Sequence, residues 1–260
     1  MAERRGAAVR RLAFLGRLGH AARGLVYLAM GFLAARAALA TGGAAAAGPD
    51  GALEWVIREP HGPLVVTLAA GGLFADALLR FVEAWERRSL AGRIASTARG
   101  SAAALLGATA LRVARSARRA PGQGTVRKSV AWLLARPWGP RALLAAGGIA
   151  AAVALLEIGQ GVTGRLKERF RKGAMGPRPR RWAEGVSRFG IAAHGALLGV
   201  IAAFLARAGL DADPRDVVDS GGALRRVERL PFGPGLLAAI AAGLAAYGIS
   251  QWVLALYRRD

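Results

Sequence analysis

Three times along this chain the same residues return at the same spacing. Arg17, Arg23, Gly24, Gly31 and Arg36 are matched by Arg93, Arg99, Gly100, Gly107 and Arg112, and again by Arg188, His194, Gly195, Ala202 and Arg207. Each set leads to a Pro-x-Gly-Pro turn: Pro60-His61-Gly62-Pro63, Pro137-Trp138-Gly139-Pro140 and Pro231-Phe232-Gly233-Pro234. The interval from the last basic residue of a set to its first proline is 24, 25 and 24 residues. A further small pair follows each turn, at Gly71-Gly72, Gly147-Gly148 and Ala242-Gly243. Self-similarity at a fixed period means one supersecondary unit used repeatedly, so the fold must be a way of packing that unit against its own copies.

Each unit reads as a helix, a connection outside the membrane, the Pro-x-Gly-Pro turn and a second helix. The second proline suits the first turn of a helix, where its missing N–H is not needed, and drives the preceding glycine toward an extended conformation. His61, Trp138 and Phe232 inside the motif would stand at headgroup depth. Ahead of the turns, Leu53 and Val56, Val130 and Leu133, and Leu224 and Val227 share an i, i+3 spacing, with Trp55 and Trp132 beside them. That pattern predicts short interfacial helices. The three units are assigned to 12–88, 89–172 and 182–259.

Composition decides where such units reside. Apolar residues are 54% of the 260 and charged residues 20%, yet the net charge is +21. The mean hydropathy is still positive, +0.32. A soluble basic protein spreads its charge over a hydrophilic surface. Here the apolar residues are gathered at 24–35, 62–75, 100–111, 142–156, 189–206 and 230–257. Four of these runs fall short of the ~20 residues of a spanning helix and match the buried helices of a soluble bundle. Each reaches that length if a charge near its end snorkels to the interface, as Arg36, Arg80 and Arg112 are placed to do. The run 142–156 also lacks the polar stripe of a soluble amphipathic helix. The expectation is an all-α polytopic membrane protein with six transmembrane helices, built as three tandem two-helix repeats with quasi-threefold packing about the membrane normal. The basic start of the chain has no small-residue cleavage site, so the first span is expected to double as the insertion signal.

The stretch Gly19-His20-Ala21-Ala22-Arg23-Gly24-Leu25-Val26-Tyr27, the Gly51-Ala52-Leu53 and Gly222-Ala223-Leu224 runs ahead of the turns, and Ala241-Ala242-Gly243-Leu244-Ala245-Ala246-Tyr247 carry a resemblance. In these the chain resembles the bacterial integral membrane proteins of the domain of unknown function 1206 family. The resemblance extends from about Leu12 to Arg259 and implies three copies of a two-helix unit, hence six spans, with no assigned activity. The second copy departs most, with Lys128-Ser129-Val130 for Gly-Ala-Leu and Val153 for the tyrosine.

Ionisable groups at depth in a membrane are costly and are functional candidates by default. Arg23, six residues past Arg17, lies ~9 Å inward at ~1.5 Å per residue. Asp76, thirteen past Pro63, lies ~20 Å from the other face of a core ~30 Å thick, so the two meet at one level. An Arg23–Asp76 ion pair is expected. In the second copy Val153 matches the depth of Arg99, and Glu157 stands one turn lower within reach. In the third, His194 faces Tyr247, with Gln251 one turn lower. Such groups either pin helices together or line a shared cavity among Arg23, Arg99 and His194 for an anionic headgroup or metabolite from the cytoplasmic leaflet. Gly24, Gly31, Gly100, Gly107 and Gly195 would let helices approach closely, with the small pairs beyond the turns as complementary surfaces.

Several chemistries find no support. The chain has no cysteine, so no disulfide framework and no thiolate site. His20, His61 and His194 lack metal-ligand spacing, and no cofactor is expected. No phosphate loop, His-Glu-x-x-His or Gly-x-Ser-x-Gly occurs, and Ser96, Ser101 and Ser187 have no positioned His and acid partners. An enzyme is not expected. The basic segment 165–188 could bind phosphates nonspecifically, but beside two spans the nearer polyanion is the lipid surface, and no specific nucleic acid is expected.

Lys and Arg number 19 on the side of the termini against 15 on the other, and Asp50, Glu54, Glu59, Asp211, Asp213, Asp216 and Asp219 fall in the first and third connections; the positive-inside rule then puts both termini in the cytoplasm of a bacterial inner (plasma) membrane. The basic connection 112–141 is the exception. The expected function is a non-enzymatic scaffold or a lipid- or partner-binding protein, with anionic headgroups at the cytoplasmic face and a membrane protein or a second copy as partner. The alternative is a small transporter or channel with its path among the first, third and fifth spans.

Overall fold

A computed structural model of the protein describes residues 2–40, 47–116, 123–163 and 177–257. Arg118 and Arg119 of the basic connection, residues 165–176 of the later one, and Arg258 and Arg259 lie outside the described residues. Among the described residues every regular element is a helix. They run α1 (Ala2–Ala40), α2 (Pro49–Ile57), α3 (Gly62–Glu86), α4 (Leu90–Ser116), α5 (Gln123–Leu134), α6 (Gly139–Thr163), α7 (Pro177–Asp211), α8 (Ser220–Glu228) and α9 (Gly233–Tyr257). Long, short, long recurs three times, and α2, α5 and α8 occupy the places of the short interfacial helices. Their apolar stripe faces inward: Leu53, Val56, Val130 and Leu224 are buried.

The Pro-x-Gly-Pro turns are tighter than the sequence alone implies. The glycine opens the helix instead of standing extended before it, and in the first and third turns the chain reverses one residue earlier, at His61 (φ 66°) and Phe232 (φ 62°) in the left-handed region. A Cβ on Gly62 would fall 2.3 Å from the Val56 carbonyl oxygen, and one on Gly233 2.1 Å from that of Glu228. Only glycine allows the short helix to fold back this closely.

Among the described residues, five helices are long and apolar enough to cross a membrane: Gly16–Leu39, Gly62–Glu86, Gly139–Thr163, Arg181–Asp211 and Gly233–Leu256. The sixth long helix, α4, carries Arg93, Arg99, Arg112 and Arg115 among serines and threonines, which lowers its apolar content. Large apolar side chains such as Leu68, Leu78, Trp85, Leu105, Leu155 and Val162 are exposed along these helices, while His20, Asp76, Glu157 and Gln251 are buried. Apolar outside and ionisable inside is the distribution of a helical protein solvated by lipid.

The long helices pack in chain order. α1 lies on α3, α3 on α4, α6 on α7, α7 on α9, and α9 returns to α1, while α4 meets α6 over a much smaller contact. The interfaces between copies reuse the same positions. A Cβ at Gly24 would lie 2.9 Å from the carbonyl oxygen of Gly248, one at Gly100 3.3 Å from that of Ala77, and one at Gly195 2.9 Å from that of Ala154. Gly248, Ala77 and Ala154 each stand fourteen residues beyond the second proline of their turn. Of the small pairs, one member is used. Gly72 and Gly147 abut Leu18 and Ala202–Ala206, whereas Gly71 and Gly148 face open space, because adjacent residues on a helix point about 100° apart.

Candidate functional site

The polar groups of the three copies meet at one level of the helix assembly. Arg23 Nη2 on α1 donates to Asp76 Oδ2 on α3 at 2.5 Å. The same oxygen accepts from Arg80 Nε, one turn further along α3, at 3.0 Å. Arg80 therefore points into the assembly and not out to the interface. Asp76 at i−4 shares its helix face and offers a charge-assisted bond that snorkelling would forgo.

Arg99 on α4 forms a longer ion pair, 3.8 Å, with Glu157 Oε1 on α6. The other oxygen of Glu157 lies 2.5 Å from Nδ1 of His194 on α7. A carboxylate has no proton to give, so Nδ1–H donates. In the neutral imidazole this leaves Nε2 to accept from the Tyr27 hydroxyl of α1, 2.8 Å away. Tyr247 of α9 stacks on the imidazole, with centroids 4.2 Å apart and planes 7° from parallel. Tyr27 meets the Tyr247 ring edge-on at 4.7 Å. Gln251 does not join this group; its Oε1 accepts from His20 Nδ1 at 2.8 Å.

Arg23 and Arg99 thus lie against the carboxylates of their own copies, Asp76 and Glu157, while His194 meets Tyr247 of its own copy by ring stacking. Sequence reasoning within a copy misses the links between copies. Tyr27 and Glu157 reach His194 from the first and second, and Tyr27 also reaches Tyr247. Three arginines face two carboxylates, so the cluster carries at least one positive charge in excess. The packing glycines flank it: a Cβ on Gly19 would fall 2.6 Å from Asp76 Cβ, one on Gly195 3.1 Å from Glu157 Cβ, and one on Gly190 2.3 Å from the Tyr247 nitrogen. Close helix approach and the polar contacts are therefore one construction.

Arg188, at the foot of α7, donates from Nε and Nη2 to the carbonyls of Gly161 and Val162 at the end of α6, 2.9 and 2.6 Å away. It satisfies acceptors that a helix terminus leaves open.

Against known proteins, the family profile of Domain of Unknown Function (DUF1206) matches residues 18–87 and 189–258, which lie in the first and third copies. The chain is also similar to the uncharacterised protein YxxB of Bacillus subtilis (strain 168), 27% identical over 255 residues, covering 94% of this chain and 90% of that protein. No solved structure matches it.

Proposed function

This chain belongs to the DUF1206 family of unknown function, and on that premise we propose that it is a non-enzymatic scaffold of the bacterial plasma membrane. In this reading α1, α3, α4, α6, α7 and α9 are six spans in a quasi-threefold ring. Both termini are cytoplasmic, and the outer faces of the ring are presented to lipid and to a membrane partner. The observation that carries it is the joining of all three copies at one point by direct contacts, Tyr27 to His194 to Glu157 and Arg23 to Asp76, between helices closed by glycine. Buried polar groups that satisfy one another fix a unique packing.

A second reading, a small transporter with its path among α1, α4 and α7, draws support from the surplus positive charge of the cluster and from its hydrogen-bonded Tyr–His–Glu chain. The absence of native cysteine makes the two separable by labelling. Ala103 is the buried counterpart of Tyr27 in the second copy. In the scaffold Ala103→Cys stays unreactive toward a small charged methanethiosulfonate, while Arg58→Cys reacts. Comparable reaction at both overturns the scaffold in favour of an aqueous path. In intact cells Phe232→Cys should be labelled from outside and Ser89→Cys only after permeabilisation; the reverse pattern overturns the orientation.

A further inference from the structure

Far from the central cluster, at the end of the helices that carries the Pro-x-Gly-Pro turns, a cavity of about 450 Å³ lies between residues 215–218 and α8. Arg215, Arg225, Arg226 and Arg229 line it, with Val218 and Gly222 as its buried members. We propose that this cavity is a binding site for a phosphate-bearing anion. It is independent of the role given to the central cluster, and it stands at the opposite end of the helices from the basic cytoplasmic face.

Three observations carry it. First, among the described residues no carboxylate lines the cavity; Glu228 keeps a buried Oε1 without a hydrogen-bond partner, and the carboxylates of the preceding connection are held by other groups. Asp219 Oδ1 accepts from Gly222 N at 2.7 Å as the N-cap of α8, and Asp213 Oδ1 accepts from Arg215 N at 2.8 Å. Asp211 and Asp216 face Arg207 at 3.3 and 3.7 Å. The planar forks of Arg215, Arg226 and Arg229 match phosphate oxygens in pairs.

Second, Arg225 and Arg226 are peculiar to the third copy. The positions of Arg225, Arg226 and Arg229 are held by Glu54, Trp55 and Arg58 in the first copy and by Ala131, Trp132 and Ala135 in the second. The turn therefore forms without them. The favourable dipole at the C-terminus of α8 accounts for basic residues in its last turn, but not for Arg215 across the cavity. Third, the Arg226 guanidinium is held 4.0 Å over the Phe204 ring, so part of the site is ordered before a ligand arrives. The volume lies within the range of small-ligand pockets, roughly 300–1,000 Å³. Leu230 and Phe232, exposed just beyond Arg229, would stand at headgroup depth, so a phosphodiester headgroup and a soluble phosphate are both sources of this chemistry.

The test uses the full chain in non-ionic detergent, as wild type, Arg215→Gln/Arg229→Gln and Arg58→Gln, each checked for helicity. Lipid retention from phosphatidylglycerol or phosphatidylcholine micelles is read by native mass spectrometry. Thermal midpoints are read with inorganic phosphate against chloride at equal ionic strength. Wild type and Arg58→Gln are expected to retain phosphatidylglycerol over phosphatidylcholine and to be stabilised by phosphate. The double variant should lose about tenfold in affinity, the equivalent of about one charge-assisted contact. A loss confined to phosphatidylglycerol identifies a headgroup, and a loss confined to inorganic phosphate identifies a soluble ligand. Equal behaviour of the double variant and wild type in both arms, or equal retention of phosphatidylcholine, overturns the site.

Discussion

The Tyr27 hydroxyl of the first copy lies 2.8 Å from Nε2 of His194 in the third, 167 residues away in sequence. Tyr27→Phe keeps the ring contacts with Tyr247 and His194 but removes the donor, leaving a buried nitrogen unpaired. A loss of about 1–3 kcal/mol is expected in denaturant unfolding in micelles. In a cycle with His194→Ala the two losses should fall short of additivity by at least ~0.5 kcal/mol. Strict additivity would show that the contact contributes nothing.

Asp76 serves two guanidinium groups, whereas Arg23 has one carboxylate partner. The order of damage is therefore Asp76→Asn above Arg23→Gln: the first strands two partly buried cations, while after the second Arg80 still holds Asp76. Removing one partner of a buried ion pair costs about 3–5 kcal/mol, and the upper part of that range is expected for Asp76→Asn. Equal melting temperatures for the two variants would contradict the shared oxygen.

Adjacent glycines should respond oppositely. A Cβ on Gly72 would sit 2.7 Å from the Leu18 carbonyl oxygen, and one on Gly248 2.8 Å from that of Gly24, whereas Gly71 and Gly148 meet nothing within 4 Å. Gly72→Ala and Gly248→Ala are expected to lower Tm. Gly71→Ala and Gly148→Ala should leave it unchanged or raise stability by up to about 1 kcal/mol through helix propensity.

The two short helices α2 and α8 meet through Gly48 and Gly221, bringing Asp50 toward Asp219. Burial, then the Asp219 carboxylate, with a smaller push from Glu54 and an opposing pull from Arg112, moves the Asp50 carboxyl up to about 6. Between its ordinary value near 4 and that point the folded chain holds more protons than the unfolded one. The contribution of Asp50 to stability therefore falls as pH rises through this window and is level above it. Relative to wild type, Asp50→Asn should gain in Tm from pH 4 to 6 and hold that gain at pH 7 and above. A difference that does not vary with pH would remove Asp219 and burial as its cause.

The units, the short helices and the pairing of Arg23 with Asp76 can be read from the chain, because a helix converts sequence distance into depth at a fixed rise. Azimuth and the identity of neighbours are not fixed by that rise. Tyr27 stands where the other copies have Ala103 and Leu198, so no periodic signal marks it, and its partners lie on α7 and α9. Which of Gly71 and Gly72 faces a neighbour is likewise a matter of rotation about the helix axis. Arg80 was within reach of sequence reasoning: its i, i+4 relation to Asp76 is the spacing of an intrahelical ion pair. The small contact between α4 and α6 has no counterpart in the repeat pattern, which treats the second copy like the others.

The glycine contacts that join the second helix of one copy to the first helix of the next are heterologous. Each copy offers two different faces, one fitting the next copy and one the copy before. In separate subunits such faces close a ring or run on into a filament. Here three copies share one chain and α9 comes back onto α1, so closure is intramolecular and independent of concentration. The faces that would recruit another copy are consumed within the molecule.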